Sequence, residues 1–153
     1  MYPQPSSKSK IPPVQDWPIS DLPGLDSSVQ VQLLELGISS TLQLWQQTTT
    51  PAKRNGLASQ LQIHPQYVNK WAALADLSRL PSVGCHYCGL LLHAGIISPG
   101  QLAQMSFQQV HKQILRVQIK MLQRADLCPP LEEVKRWVQE ARQIFNRDTK
   151  TSL

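Results

Sequence analysis

Apolar residues recur at helical spacing along most of the chain, and no stretch alternates apolar and polar as a half-buried strand does. A turn at Leu22-Pro23-Gly24 opens a predicted helix over about residues 26–36. Gly37 ends it, since glycine accepts the left-handed conformation that commonly closes a helix. Ser39 or Ser40 caps a short helix through Leu42, Leu44 and Trp45. Thr50-Pro51, a cap followed by proline at the first helical position, starts another that runs to about Leu61. His64-Pro65 starts the next, with Val68, Trp71, Ala72 and Ala75 on one face. Further on, one longer helix is predicted over about residues 107–124. Cys128-Pro129-Pro130 breaks the chain, and a last helix carries Leu131, Val134, Trp137, Ala141 and Ile144 at helical spacing.

The same pattern occurs twice. Residues 22–48 align with residues 80–106 at an offset of 58 without a gap, giving ten identities in 27 positions. The identities include Leu22/Leu80, Pro23/Pro81, Leu33/Leu91, Gly37/Gly95, Ile38/Ile96 and Leu44/Leu102. The later parts correspond through Val68…Trp71 and Val134…Trp137 at an offset of 66. Self-similarity at a fixed spacing marks a duplicated structural unit. The expected fold is therefore all-α: two tandem helical repeats, residues 21–79 and 80–146, packed as one compact unit. Leu33, Leu34, Ile38 and Leu44 are expected to be buried at the places of Leu91, Leu92, Ile96 and Leu102.

Residues 1–20 are rich in Pro, Ser and Gln without a period and predict a disordered tail, with Trp17 and Ile19 candidates for packing at the domain edge. Residues 147–153 are expected to fray. The net charge of +5 and pI near 9.3 tilt the chain toward anionic partners without demanding one. The first residues lack the apolar core of a secretory signal, and no apolar run is long enough to span a bilayer. Three cysteines do not make a disulfide framework. A soluble cytoplasmic protein is expected.

Each repeat opens on a short turn, Leu22-Pro23-Gly24-Leu25-Asp26 and Leu80-Pro81-Ser82-Val83-Gly84. These turns resemble the hairpin of helix-hairpin-helix modules, whose glycines let successive N–H groups point at a phosphate. Each copy keeps a single glycine, and Asp26 puts a carboxylate where a phosphate would sit. Val68-Asn69-Lys70-Trp71, followed by Ala75-Asp76-Leu77, Arg79-Leu80-Pro81-Ser82-Val83-Gly84 and the closing Val134…Trp137 helix, resembles the domain of unknown function 4332 family, common in cyanobacteria. The resemblance covers about residues 20–146. It implies a tandem helix-hairpin-helix-like fold and brings no known activity. The family usually has glycine where this chain has Ser82.

Lys112, Arg116, Lys120 and Arg124 recur every four residues, with no acidic residue between Phe107 and Ala125. Phe107, Val110, Ile114, Val117 and Met121 form the opposite, core-facing stripe. The four cations suit a phosphate backbone, and equally a solvated helix face. Leu57, Ala58, Leu61, Val68 and Trp71 are also consistent with a helix-turn-helix presenting His64, Gln66, Tyr67, Asn69 and Lys70, although the repeat already explains the same apolar positions. Cys85-His86-Tyr87-Cys88 with His93 has zinc-ligand types. However, Cys85 and His86 project apart on a helix, and the matching residues of the first repeat (Ser27, Ser28, Gln30 and Glu35) form no site. No metal, no cofactor and no small-molecule substrate are therefore expected, and Cys128 shows no partner.

No nucleophile, base and orienter converge in the sequence, so no enzyme is expected. The leading expectation is a non-catalytic nucleic-acid-binding module using Gly24, Leu25, Ser82, Val83 and Gly84 with Lys112, Arg116, Lys120 and Arg124. The alternative is a protein–protein adaptor, a subunit of a larger assembly such as a photosynthetic one.

Overall fold

The computed structural model describes residues 14–119 and 128–151. The described chain is all-α, and its pairings outside helices include one isolated bridge, Pro18 to Ser40. A short 3-10 turn, Ile19–Asp21, precedes eight helices. These are α1 (Ser27–Glu35), α2 (Thr41–Gln46), α3 (Pro51–Leu61), α4 (Pro65–Ser78), α5 (Gly84–His93), α6 (Pro99–Ala103), α7 (Phe107–Val117) and α8 (Leu131–Thr151).

Local chemistry explains the boundaries. Asp26, Ser40, Thr50, Ser98 and Ser106 each accept a backbone N–H from three residues on, satisfying donors that the first helical turn cannot pair. Ser106 and Gln109 complete a reciprocal capping box. Helices α1 and α5 end alike. Gly37 and Gly95 are left-handed, at φ 85° and 90°. Ile38 and Ile96 reach back with their N–H groups to the carbonyls of Leu33 and Leu91, both at 2.9 Å. Helix α3 ends in the same geometry without glycine. Gln62 takes φ 58°, and Ile63 N–H bonds the Ala58 carbonyl at 3.0 Å.

Helix α4 packs on α2, α3 and α5, and so joins the two halves of the chain. Helix α8 packs on α6 and α7. The two central helices bury matched residues: Val68 and Val134, Trp71 and Trp137, Ala75 and Ala141 are all within one continuous core. Leu33, Ile38 and Leu44 are buried, as are Leu91, Ile96 and Leu102. Leu34 departs from expectation, since it is 52% exposed while Leu92 is half-buried. Leu33 is the one buried residue of α1, so its neighbour one position on turns outward.

Residues 14–20, assigned to the tail by composition, run across the helices together with Asp21, with Trp17 and Ile19 packed at the edge as expected. Trp17 and Thr41 are joined by two bonds, Trp17 N–H to the Thr41 side-chain hydroxyl and Thr41 N–H to the Trp17 carbonyl. Ile19 N–H bonds the Ser39 carbonyl, and Gln15 N–H bonds the Arg79 carbonyl, both at 3.0 Å. The Trp17 indole N–H reaches the Ser78 carbonyl at 2.8 Å, and Ile19 is buried. This strap therefore ties α2 to the end of α4. The rest of the expected tail, residues 1–13, lies outside the described residues, as does the stretch 120–127 that holds Met121.

Candidate interaction sites

The two turns expected as hairpins, residues 22–26 and 80–84, reach different backbone geometries. In the first, Gly24 is left-handed at φ 87°. In the second, the left-handed residue is Gly84, at φ 53°, two positions later in the sequence match. The donors are spent differently too. Val83 and Gly84 both direct their N–H groups to the Leu80 carbonyl, at 3.0 and 2.9 Å. Val83 and Gly84 are buried, and a Cβ added at Gly84 would lie 2.9 Å from the Trp17 ring. Leu25 is buried as well, and its carbonyl accepts the Gln30 amide.

Each hairpin also holds a carboxylate of the chain itself. Asp26 accepts Val29 N–H at 2.9 Å and the Ser28 hydroxyl at 2.8 Å, and these bonds, Val29 first, hold its carboxyl below the usual range. In the second hairpin the carboxylate comes from α8. Glu140 accepts Ser82 N–H at 2.9 Å and the Ser82 hydroxyl at 2.6 Å. The Trp137 indole N–H bonds the Ser82 carbonyl at 3.1 Å and Glu133 at 3.2 Å. Under the two offsets, Ser82 matches Gly24 and Glu140 matches Leu74. Leu74 is the residue that lies against Gly24, its methyl 4.0 Å from where a Cβ there would stand. Each hairpin thus touches the same position of its central helix, through an apolar contact in one half and through a carboxylate in the other.

On α7, Lys112 and Arg116 are exposed, while Val110 and Ile114 are fully buried on the opposite face. The two cations line a shallow groove of about 510 Å³ together with Gln101, Gln104 and Gln109. Lys120 and Arg124 lie outside the described residues. Helices α3 and α4 bury Leu57, Ala58, Leu61, Val68 and Trp71 and leave His64, Gln66, Tyr67, Asn69 and Lys70 exposed. Two of these have local work: His64 accepts Gln66 N–H, and Asn69 accepts the Arg54 guanidinium.

The cysteines are apart from one another in character. Cys88 is buried and Cys85 half-buried, and burial pushes their thiols up to about 12 and about 11. Thiols that stay protonated at neutral pH are poor nucleophiles and poor metal ligands. His86 is exposed and stacks edge-on against Tyr87 at 4.4 Å. Among the described residues no three His, Cys, Asp or Glu side chains are grouped to hold a metal ion. Cys128 does meet a partner, contrary to expectation: its Sγ lies 3.5 Å from His111 Nε2, a contact between residues 17 apart in sequence. Burial raises this thiol as well.

The larger cleft, about 590 Å³, lies at the seam of the two halves. Trp45, Arg54, Asp76 and Arg79 line it from the first half, and Ile97 and Phe145 from the second. Arg79 stacks on the Trp45 ring at 4.0 Å and pairs with Asp76 at 2.7 Å. None of these residues stands out in the sequence as a site. For this lining the self-alignment carries one signal, Ile97 in place of Ser39.

No described helix is long and apolar enough to cross a membrane. Neither the curated proteins nor the solved structures include a match to this chain. One family model does match, over residues 23–144, which take in the second hairpin, all of the first but Leu22, and the cleft lining except Phe145. The chain belongs to the family described as Domain of unknown function (DUF4332).

Proposed function

We propose that the protein is a non-catalytic protein–protein adaptor built from two copies of one helical unit. The duplication is supported by the self-alignment together with the paired burial and paired helix ends. The observation that carries the adaptor reading is the state of the hairpins. Val83 and Gly84 N–H turn inward onto Leu80, and the carboxylates of Asp26 and Glu140 stand on the faces where a phosphate would dock. A phosphate brought to either would meet like charge. The surface meanwhile displays large apolar side chains, Val31, Leu34, Tyr67 and Ile97 each more than half exposed. Affinity capture from native lysate tests this reading: a stoichiometric protein should be retained after nuclease treatment. Loss of every captured protein with nuclease would overturn it.

A second reading, nucleic-acid binding, is favoured by the exposed Lys112 and Arg116 beside a glutamine-lined groove. It predicts that log affinity falls with log salt, and that Lys112→Ala with Arg116→Ala flattens the slope by about two, at roughly 0.9 per phosphate contact on duplex. Base preference should change little, because phosphate contacts position a protein without reading sequence. An unchanged slope would remove this reading.

A further inference from the structure

The seam cleft holds an exposed isoleucine that its own turn does not need. Ile97 sits before the α6 cap, and its N–H bonds the Gln101 side chain at 3.0 Å. In the first half Ser39 makes the same bond to Gln43 at 2.7 Å. The turn therefore works with serine, yet the second half carries an isoleucine that is 56% exposed. Phe145, 40% exposed, flanks the same cleft beside Gly100. Between them the lining supplies Trp45 and two arginines, the side chains that dominate binding energy at protein interfaces.

The charge of the lining points to the sign of the occupant. Among the described lining residues two guanidinium groups, Arg54 and Arg79, accompany one carboxylate, Asp76, which pairs with Arg79. Arg54 is held by Asn69 at 2.9 Å and by the Thr48 carbonyl at 3.0 Å. Those bonds use two of its five donors and fix the side chain before any ligand arrives, which lowers the ordering cost of binding.

We propose that this cleft is the docking site for a segment of a protein partner in which a carboxylate pairs with Arg54 and a neighbouring large apolar side chain packs on Ile97 and Phe145. The assignment rests on the adaptor reading. A nucleic acid fits less well, because exposed Ile97 and Phe145 flank the cleft and the lining includes the Asp76 carboxylate.

The probe is a phage-displayed library of random decapeptides, selected on the full chain. Selected peptides should carry Asp or Glu close to Leu, Ile or Phe. Their affinity should fall about tenfold on Arg54→Gln and on Ile97→Ser, the residue that serves at the matching turn, and should hold on Lys112→Ala. Helical circular dichroism and melting temperature confirm that each variant is folded. Enrichment of basic peptides, no enrichment, or equal affinity for all variants would overturn the assignment. Capture from lysate separates the two levels. A nuclease-resistant partner that Arg54→Gln and Ile97→Ser retain in full would leave the adaptor standing and remove the cleft. Failure to retain any protein after nuclease would remove the adaptor itself.

Discussion

Ser82 and Glu140 form a polar pair where the first half uses Gly24 and Leu74. A buried N–H or hydroxyl that loses its acceptor costs about 1–3 kcal/mol. Glu140→Leu should therefore lower stability by about 2 kcal/mol. Adding Ser82→Gly, which installs the first half's residues at both positions, should recover part of that loss. Urea denaturation of the two single variants and the double variant gives the coupling directly, and simple additivity would show that the pair does not interact. Gln62 offers a gain instead. A non-glycine residue at φ 58° is strained by about 1 kcal/mol, so Gln62→Gly should stabilise the chain by roughly that amount. An unchanged or lowered denaturation midpoint would contradict this. The buried thiols carry a pH dependence. Cys85 and Cys88 keep their protons in the folded state to about 11 and about 12, whereas an unfolded thiol loses its proton near 9. The folded state thus binds more protons above pH 9, and stability falls as pH rises from there towards 12. Cys88→Ala should flatten that alkaline decline, as read from unfolding free energies between pH 8 and 11.

At the scale of elements, the strap of residues 14–21 shows how composition misleads. Its proline and polar residues give no helical or strand period, yet its backbone bonds Ser39, Thr41 and Arg79, and its tryptophan fills the space left by a residue without a side chain at Gly84. Trp17→Ala should cost about 2–3 kcal/mol, less than a fully buried tryptophan because Trp17 is half-buried. Thermal unfolding checks it, and a loss below about 0.5 kcal/mol would mean that the strap is not part of the cooperative unit. Helix α7 is the opposite case. Its stripe of Val110 and Ile114 opposite Lys112 and Arg116 was legible from spacing alone, because a period of 3.6 leaves few alternative ways to bury one face.

At the scale of the molecule, α4 packs against α5, and the 590 Å³ cleft opens elsewhere, between α2, α3 and α4 on one side and α6 and α8 on the other. The aligned segments 22–48 and 80–106 differ at particular positions, and such differences are where binding specificity can reside. Ile97 against Ser39 is such a difference, and Glu140 against Leu74 is another, at the offset of 66. One places an apolar group at the cleft, and the other fills the second hairpin with a carboxylate.

The sequence by itself determined the all-α class, the helix start at Thr50, a start at Ser39 or Ser40, the stop at Gly37, and most of the buried apolar positions. Those features follow from local rules: caps answer the unpaired groups at helix ends, and periodicity selects the buried face. Tertiary structure alone decided the rest. It brought Glu140 to Ser82 across 58 residues and Trp17 to Ser78 across 61. It set Cys128 beside His111, and it gathered Trp45, Arg54, Ile97 and Phe145 around one cleft. The physical reason is that a side chain's partner across a fold depends on how helices cross, and crossing geometry is set by the packing of whole faces, not by the spacing of residues along any one of them.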